Sequence, residues 1–402
     1  MNKSTKLNTF SIMMAYLAIM GFNAVTPAMN TFMNVWGETA SSSTIYLIST
    51  LPLLVMCPVT IITGKLAGKY IKYKTLAVAG NLIYVIGGCA PVFLTGNLAV
   101  ILICRAVFGI GIGITTPLGN ALVLESFDEE RSNRLLGYGT LIMNFGGILT
   151  QQLSGIFCSI SWNLTFLSYA CGLLPLIFSF FITEPEKKVS DSDTQEISAA
   201  HKTAIPAAVW ILSVSILLLN TANISLMMNV SILMANNKGI DSSVLSAITL
   251  SCFTVGGCIA GLVFGKLYRK FMRLLIPAAV ILCIAGQLLL LYGPNTAVMS
   301  AGTLLIGFGF SITHTGVYSI IGNCVPEDKV SFSISIVMTF LNISGFLSTY
   351  YLALIEKIFG ESLITSYYAA IAIYAVLAVF YFLYRPKKKN IYTDLHNAEP
   401  GL

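Results

Sequence analysis

The chain has 402 residues, 56% of them hydrophobic and only 10% charged, with a formal net charge of +6. A soluble domain carries about 25% charged residues, so one apolar core inside a watery shell is excluded, and the bilayer must solvate most of this chain. The positive balance is not a nucleic-acid footprint, because its distribution follows membrane topology.

Twelve apolar segments of spanning length follow one another, at residues 9–32, 44–64, 75–95, 98–122, 135–157, 162–183, 206–232, 244–265, 275–294, 296–321, 332–355 and 363–384. This predicts an all-α integral membrane protein with a six-helix bundle over 1–183 and a second over 206–384. A polar linker at 184–205 joins them, and a polar tail at 385–402 ends the chain. The first segment is too long for the core of a cleaved leader and ends in no small-residue cleavage site, so it is expected to remain as a span. The 9 cysteines lie scattered, without metal-ligand spacing, and read as small packing residues.

Taken in order, the spans carry a sparse set of polar groups. Span one has Asn23, Pro27 and Asn30 at i, i+4 and i+7, which is one face of a helix. Span two holds Pro52 and Pro58, each able to kink it. Span four holds Arg105 inside the glycine-rich run Gly109, Gly111, Gly113. An arginine at that depth is costly and marks function by default. Span five has Asn144 and Gln151 seven apart, again on one face. Span seven offers Asn220 and Asn223 with Met227 and Met228 beside them; span ten offers His314 and Tyr318, and span eleven Asn342. For each of these the plain alternative is an interhelical hydrogen bond worth about 0.6 kcal/mol, and for any single methionine it is packing against lipid.

All but three of the 23 basic residues fall in one set of loops and both termini; the exceptions are Lys238, Lys357 and Arg105. That bias places both termini in the cytoplasm of a multi-pass protein of the cell membrane. The 17 acidic residues lie in loops, tails or span ends, so Arg105 has no carboxylate partner at its own depth. It pairs either with backbone carbonyls or amides, or with a substrate or proton pathway.

The halves repeat. Gly64-Lys65-Leu66 recurs as Gly265-Lys266-Leu267, 201 residues on; Gly109 and Gly111 recur as Gly307 and Gly309, and Asn144 and Gly147 as Asn342 and Gly345, each 198 residues on. Two halves of like orientation imply parallel repeats with a site between them. At the same offset Arg105 falls on Thr303, so the arginine is expected to stand outside the repeated scaffold.

Gly64-Lys65-Leu66-Ala67-Gly68-Lys69-Tyr70-Ile71-Lys72 resembles the loop between spans two and three of the major facilitator superfamily, with Gly68 where that pattern usually has an acid. Leu102-x-x-Arg105-x-x-x-Gly109-x-Gly111-x-Gly113 resembles the fourth-span signature of its drug and metabolite efflux branches; the proline those branches tend to carry in span five is absent. The resemblance implies the major facilitator fold, alternating access, a gating role for Gly64, Lys65, Leu66, Gly68, Lys69 and Lys72, and proton coupling through Arg105, to which His314 adds a titratable group. The expected function is proton-coupled export of a small organic molecule. The cavity residues would be Asn23, Arg105, Asn144, Gln151, Asn220, Asn223, His314, Tyr318 and Asn342. The rival is an importer, exchanger or uniporter of a small organic anion bound by Arg105. No metal cluster or nucleophile–base pair is present in the spans, so no enzyme, cofactor or metal is expected, and the working unit is expected to be a monomer.

Overall fold

The computed structural model describes residues 3–94, 96–185, 205–271, 274–325, 327–360 and 363–384. Most of the expected linker and the whole tail lie outside them. Among the described residues, twelve helices are long and apolar enough to cross a membrane: α1 Lys6–Trp36, α2 Ser42–Leu66, α3 Tyr73–Val92, α4 Leu98–Ser126, α5 Glu130–Ile160, α6 Trp162–Ser179, α7 Ala207–Lys238, α8 Ser243–Phe271, α9 Leu275–Tyr292, α10 Thr296–Gly322, α11 Ser333–Phe359 and α12 Leu363–Leu383. Each matches one apolar segment of the sequence. Polar side chains set several of their starts. Asn97 accepts from Ala99 N at the head of α4, and Asn295, 198 residues on, accepts from Val298 N at the head of α10.

Two of the helices are not regular. In α1 the α-helix stops at Met14, and the chain continues as 3-10 turns over Ile19–Asn23 and Thr26–Ala28 before α-helix resumes at Met29. Pro27 brings no N–H to this stretch, and Ser231 Oγ of α7 donates to its carbonyl at 2.8 Å. Helix α5 packs against the same break: a Cβ on Gly146 would lie 1.9 Å from Leu17 O. Helix α6 runs as a 3-10 helix from Trp162 to Gly172.

Within each half, glycines set the close approaches. A Cβ on Gly109 would meet Pro52 of α2, and one on Gly111 would meet the backbone of Tyr84 in α3. Their repeats behave alike: Gly307 faces Phe253 O of α8, which lies 201 residues after Pro52, and Gly309 faces Ala279 O of α9. The same pairs of helices therefore touch through the same positions in both halves. The halves meet along α2–α11 and α5–α8, which exchange under the repeat, and along α1–α7.

The loop after α2 is a tight turn within its own half. Gly68 has φ +71°, and a Cβ there would press within 2.7 Å of the Tyr73 ring, which explains a glycine at this position. Gly68 N donates to Ile71 O at 2.9 Å, and Tyr70 N and Ile71 N donate to Leu66 O. The anion near this loop comes from elsewhere: Glu184 Oε2 and Oε1 accept from Tyr73 N and Lys74 N, at 3.2 and 2.8 Å, capping the N-terminus of α3.

Candidate functional site

A cavity of about 480 Å³ opens between the halves, lined from α1, α2 and α5 on one side and α7, α8, α10 and α11 on the other. That volume suits a small organic ligand. Seven of the residues expected from sequence line it: Asn23, Asn144, Gln151, Asn220, Asn223, His314 and Asn342. Met227 and Met228 line it as well, where lipid-facing packing had been the plainer expectation. Residues without a sequence signal complete the wall, among them Met20, Thr50, Phe253 and Phe310. A threonine or phenylalanine is ordinary anywhere in a span, so nothing in their type or spacing singles them out.

Two expected residues stand apart. Tyr318 does not line the cavity; one turn beyond His314, its hydroxyl meets His314 Nε2 at 2.8 Å and donates to Met338 Sδ at 3.0 Å. The His314 ring also stacks on Phe310, with centroids 6.0 Å apart. The larger correction is Arg105, which is fully buried inside the first half and absent from the cavity wall. Its Nε donates to Ile48 O of α2 at 2.7 Å. Ile48 is the residue whose carbonyl would bond the N–H four positions on, and that position is Pro52, which has none. The guanidinium lies over the Phe108 and Tyr169 rings, 4.3 and 4.9 Å from their centroids, while Nη1 and Nη2 make no hydrogen bond among the described residues. The expected missing counterpart in the second half is corrected too. Thr303 Oγ1 donates to Thr249 O at 2.6 Å, and Thr249 lies 201 residues after Ile48. The fourth helix of each half bonds the same carbonyl of its neighbour; only the donor differs.

Among the described lining residues there is no Asp, Glu, Lys or Arg, and His314 is the single ionisable side chain. The polar character comes from amides and from serine and threonine hydroxyls, and some of the amides are already engaged. Asn144 Nδ2 reaches Cys258 Sγ at 3.3 Å, Ser251 Oγ donates to Gln151 Oε1 at 3.3 Å, and Asn220 Nδ2 donates to Leu341 O and Ser344 Oγ at 3.0 and 2.7 Å.

The end of the cavity away from the termini is closed by bonds between the halves. Thr50 and Thr349 hydroxyls meet at 2.6 Å, Tyr46 OH donates to Asn229 Oδ1 at 2.6 Å, and Asn30 Nδ2 donates to Asp241 Oδ1 at 3.2 Å. Toward the termini the wall includes Thr140 and Gly261, both exposed. The cavity therefore opens on the face where α1 begins and α12 ends.

The Major Facilitator Superfamily profile matches residues 9–349. The chain belongs to that superfamily. Quinolone resistance protein NorA of Staphylococcus aureus (strain MSSA476) is 25% identical over 228 residues, covering 56% of this chain and 56% of that protein. The match thus spans little more than half the length of that relative. The fold is shared with an inward-facing, unoccupied bacterial homologue of the human lysosomal transporter Spinster, at TM-score 0.77 and 13% identity over 95% of this chain and 97% of that one. It is shared also with a D-xylose-proton symporter, at TM-score 0.75 and 14% identity over 96% and 99%. As a superfamily member with twelve helices able to span a membrane among its described residues, the chain is an integral multi-pass membrane protein.

Proposed function

We propose that this transporter exports a small amphipathic organic molecule from the cytoplasm in exchange for protons, by alternating access of the cavity between its halves. One observation carries the reading: an amide-lined cavity sits between two repeated halves, bonded shut at one end and open at the other. The basic loops and termini lie at the open end, and the positive-inside bias makes that end cytoplasmic in the cell membrane. The cavity then faces inward, ready to take ligand from the cytoplasm. The likeness to a quinolone resistance protein favours export over uptake. His314, the titratable group of the wall, is the residue we assign to the proton. Both halves and a whole cavity belong to one chain, so a monomer suffices.

The anion alternative loses its motive, because Arg105 lies away from the cavity and no basic side chain lines it. The same placement moves proton coupling from Arg105 to His314. The loop Gly64, Lys65, Leu66, Gly68, Lys69 and Lys72 turns within the first half, and we assign its lysines to topology and its glycine to the turn.

The test uses the full chain in proteoliposomes with an uncharged fluorescent carboxamide as probe. Its movement should follow an imposed pH gradient and collapse with an uncoupler. Movement indifferent to the gradient would sink proton coupling, and none under any condition would sink transport of this class.

A further inference from the structure

The amides of the cavity divide into two groups. Asn144, Gln151 and Asn220 spend hydrogen bonds inside the protein. Asn23, Asn223 and Asn342 have none among the described residues, although all three line the cavity. Asn223 is the sharpest case. It is only 3% exposed, and its Oδ1 is a buried acceptor without a partner. A buried carbonyl oxygen left unpaired is costly, and the cost is recovered when a donor arrives. Asn223 also stands 200 residues after Asn23, within the 198–201 spacing that relates the halves. Of the three uncommitted amides, Asn23 and Asn223 therefore come from repeat-related helices, α1 and α7, on opposite walls.

The rest of the lining limits what can bring that donor. With no Asp, Glu, Lys or Arg in the wall, nothing there neutralises a permanent cation or an anion in low dielectric. Methionines 20, 143, 227 and 228 and phenylalanines 22, 253 and 310 supply adaptable apolar surface. We propose that the ligand is an amphipathic molecule of no net charge, with an apolar body against these side chains and an N–H or O–H group that donates to Asn223 Oδ1. Asn23 and Asn342 meet its remaining polar atoms. The proposal rests on reading this cavity as the transport site. It names Asn223 as the residue that separates donor-bearing molecules from donor-free ones, since a site with a buried acceptor rejects an analogue that leaves the acceptor unpaired.

The experiment uses four probes with one phenylalkyl body: the primary amide, its N,N-dimethyl amide, the carboxylate and the trimethylammonium. Binding to the purified full chain is read as the thermal shift over a concentration series. The primary amide should bind tightest, with the dimethyl amide weaker by roughly tenfold or more and the two ions giving no shift. In Asn223→Ala the two amides should bind alike. The wild-type ranking alone decides the matter if that variant does not fold. A leading carboxylate or trimethylammonium, equal amides, or no shift from any probe overturns the proposal, as does an Asn223→Ala protein that keeps the preference. Flux of the primary amide in proteoliposomes separates the two readings. Selective binding without flux sinks the transporter assignment and leaves the ligand class standing; flux of the ions sinks the ligand class and leaves the transporter.

Discussion

At the scale of single residues, Arg105 and Pro52 form one unit. Pro52 frees the Ile48 carbonyl, and Arg105 Nε fills the place of the missing N–H at 2.7 Å. Both residues are plain in the sequence, as is the cost of an arginine at this depth. What joins them is not: the rotation of α4 that lays Gly109 on Pro52 also aims Arg105 at Ile48, and a helical period gives a face without saying what it meets. Arg105→Met should lower stability by about 1–3 kcal/mol, by stranding that carbonyl and removing the cation from two rings. Pro52→Ala returns an N–H to the carbonyl, so Arg105→Met should cost distinctly less in that background. A double-mutant cycle on melting temperature measures the difference, and strict additivity would separate the two residues. The asparagines were legible for the opposite reason, since an amide in a span must find some partner, whichever way its helix turns. For His314, replacement by Gln keeps a hydrogen-bonding group near Tyr318 and removes the titration. His314→Gln should still bind ligand but lose accumulation driven by a pH gradient, as read by paired binding and flux assays. Retained accumulation would move the proton elsewhere.

Secondary elements were mostly readable from apolar length, because each span must satisfy its own backbone in lipid. The exception is α1. Asn23, Pro27 and Asn30 share a face only if the helix is regular; with 3-10 turns between, Asn23 faces the cavity while Asn30 reaches Asp241 at the closed end. The break is stabilised by Ser231 of another helix and by the approach of α5 at Gly146, partners no local pattern contains. The glycine repeat was legible, and packing shows what it does: Gly109 and Gly307 let the fourth helix of each half touch the second. A Cβ on Gly307 would lie 1.9 Å from Phe253 O, which is backbone and cannot turn aside. Gly307→Ala should therefore cost on the order of 1–3 kcal/mol or misfold. Gly265→Ala, with nothing within 4 Å of the new carbon, should be neutral or raise stability by up to ~1 kcal/mol through helix propensity. Melting temperatures of the two purified variants decide it, and equal shifts would remove the packing account.

On the scale of the whole molecule, two like halves can share a central cavity only if its ends close by turns, because a site open at both ends would leak. The sequence implied the halves and their shared site through a constant offset; which end is shut depends on a balance between two packings that the same residues support. Here α2 and α11 meet through Thr50 and Thr349, whose hydroxyls lie 2.6 Å apart beside the cavity, with Tyr46 and Asn229 bonded farther out. These bonds are modest, as a reversible seam requires: each is worth about 1 kcal/mol net. If the closed end opens along this seam, a covalent bond across it must arrest the cycle in the state open toward the termini. Thr50→Cys with Thr349→Cys places two thiols where the hydroxyls meet, and oxidation should join them without moving the helices far. The joined protein, verified by mass spectrometry because nine native cysteines are present, should keep ligand binding and lose flux, and reduction should restore flux. Full flux through the joined protein would mean that the ligand leaves by another route and that α2 and α11 stay together throughout the cycle.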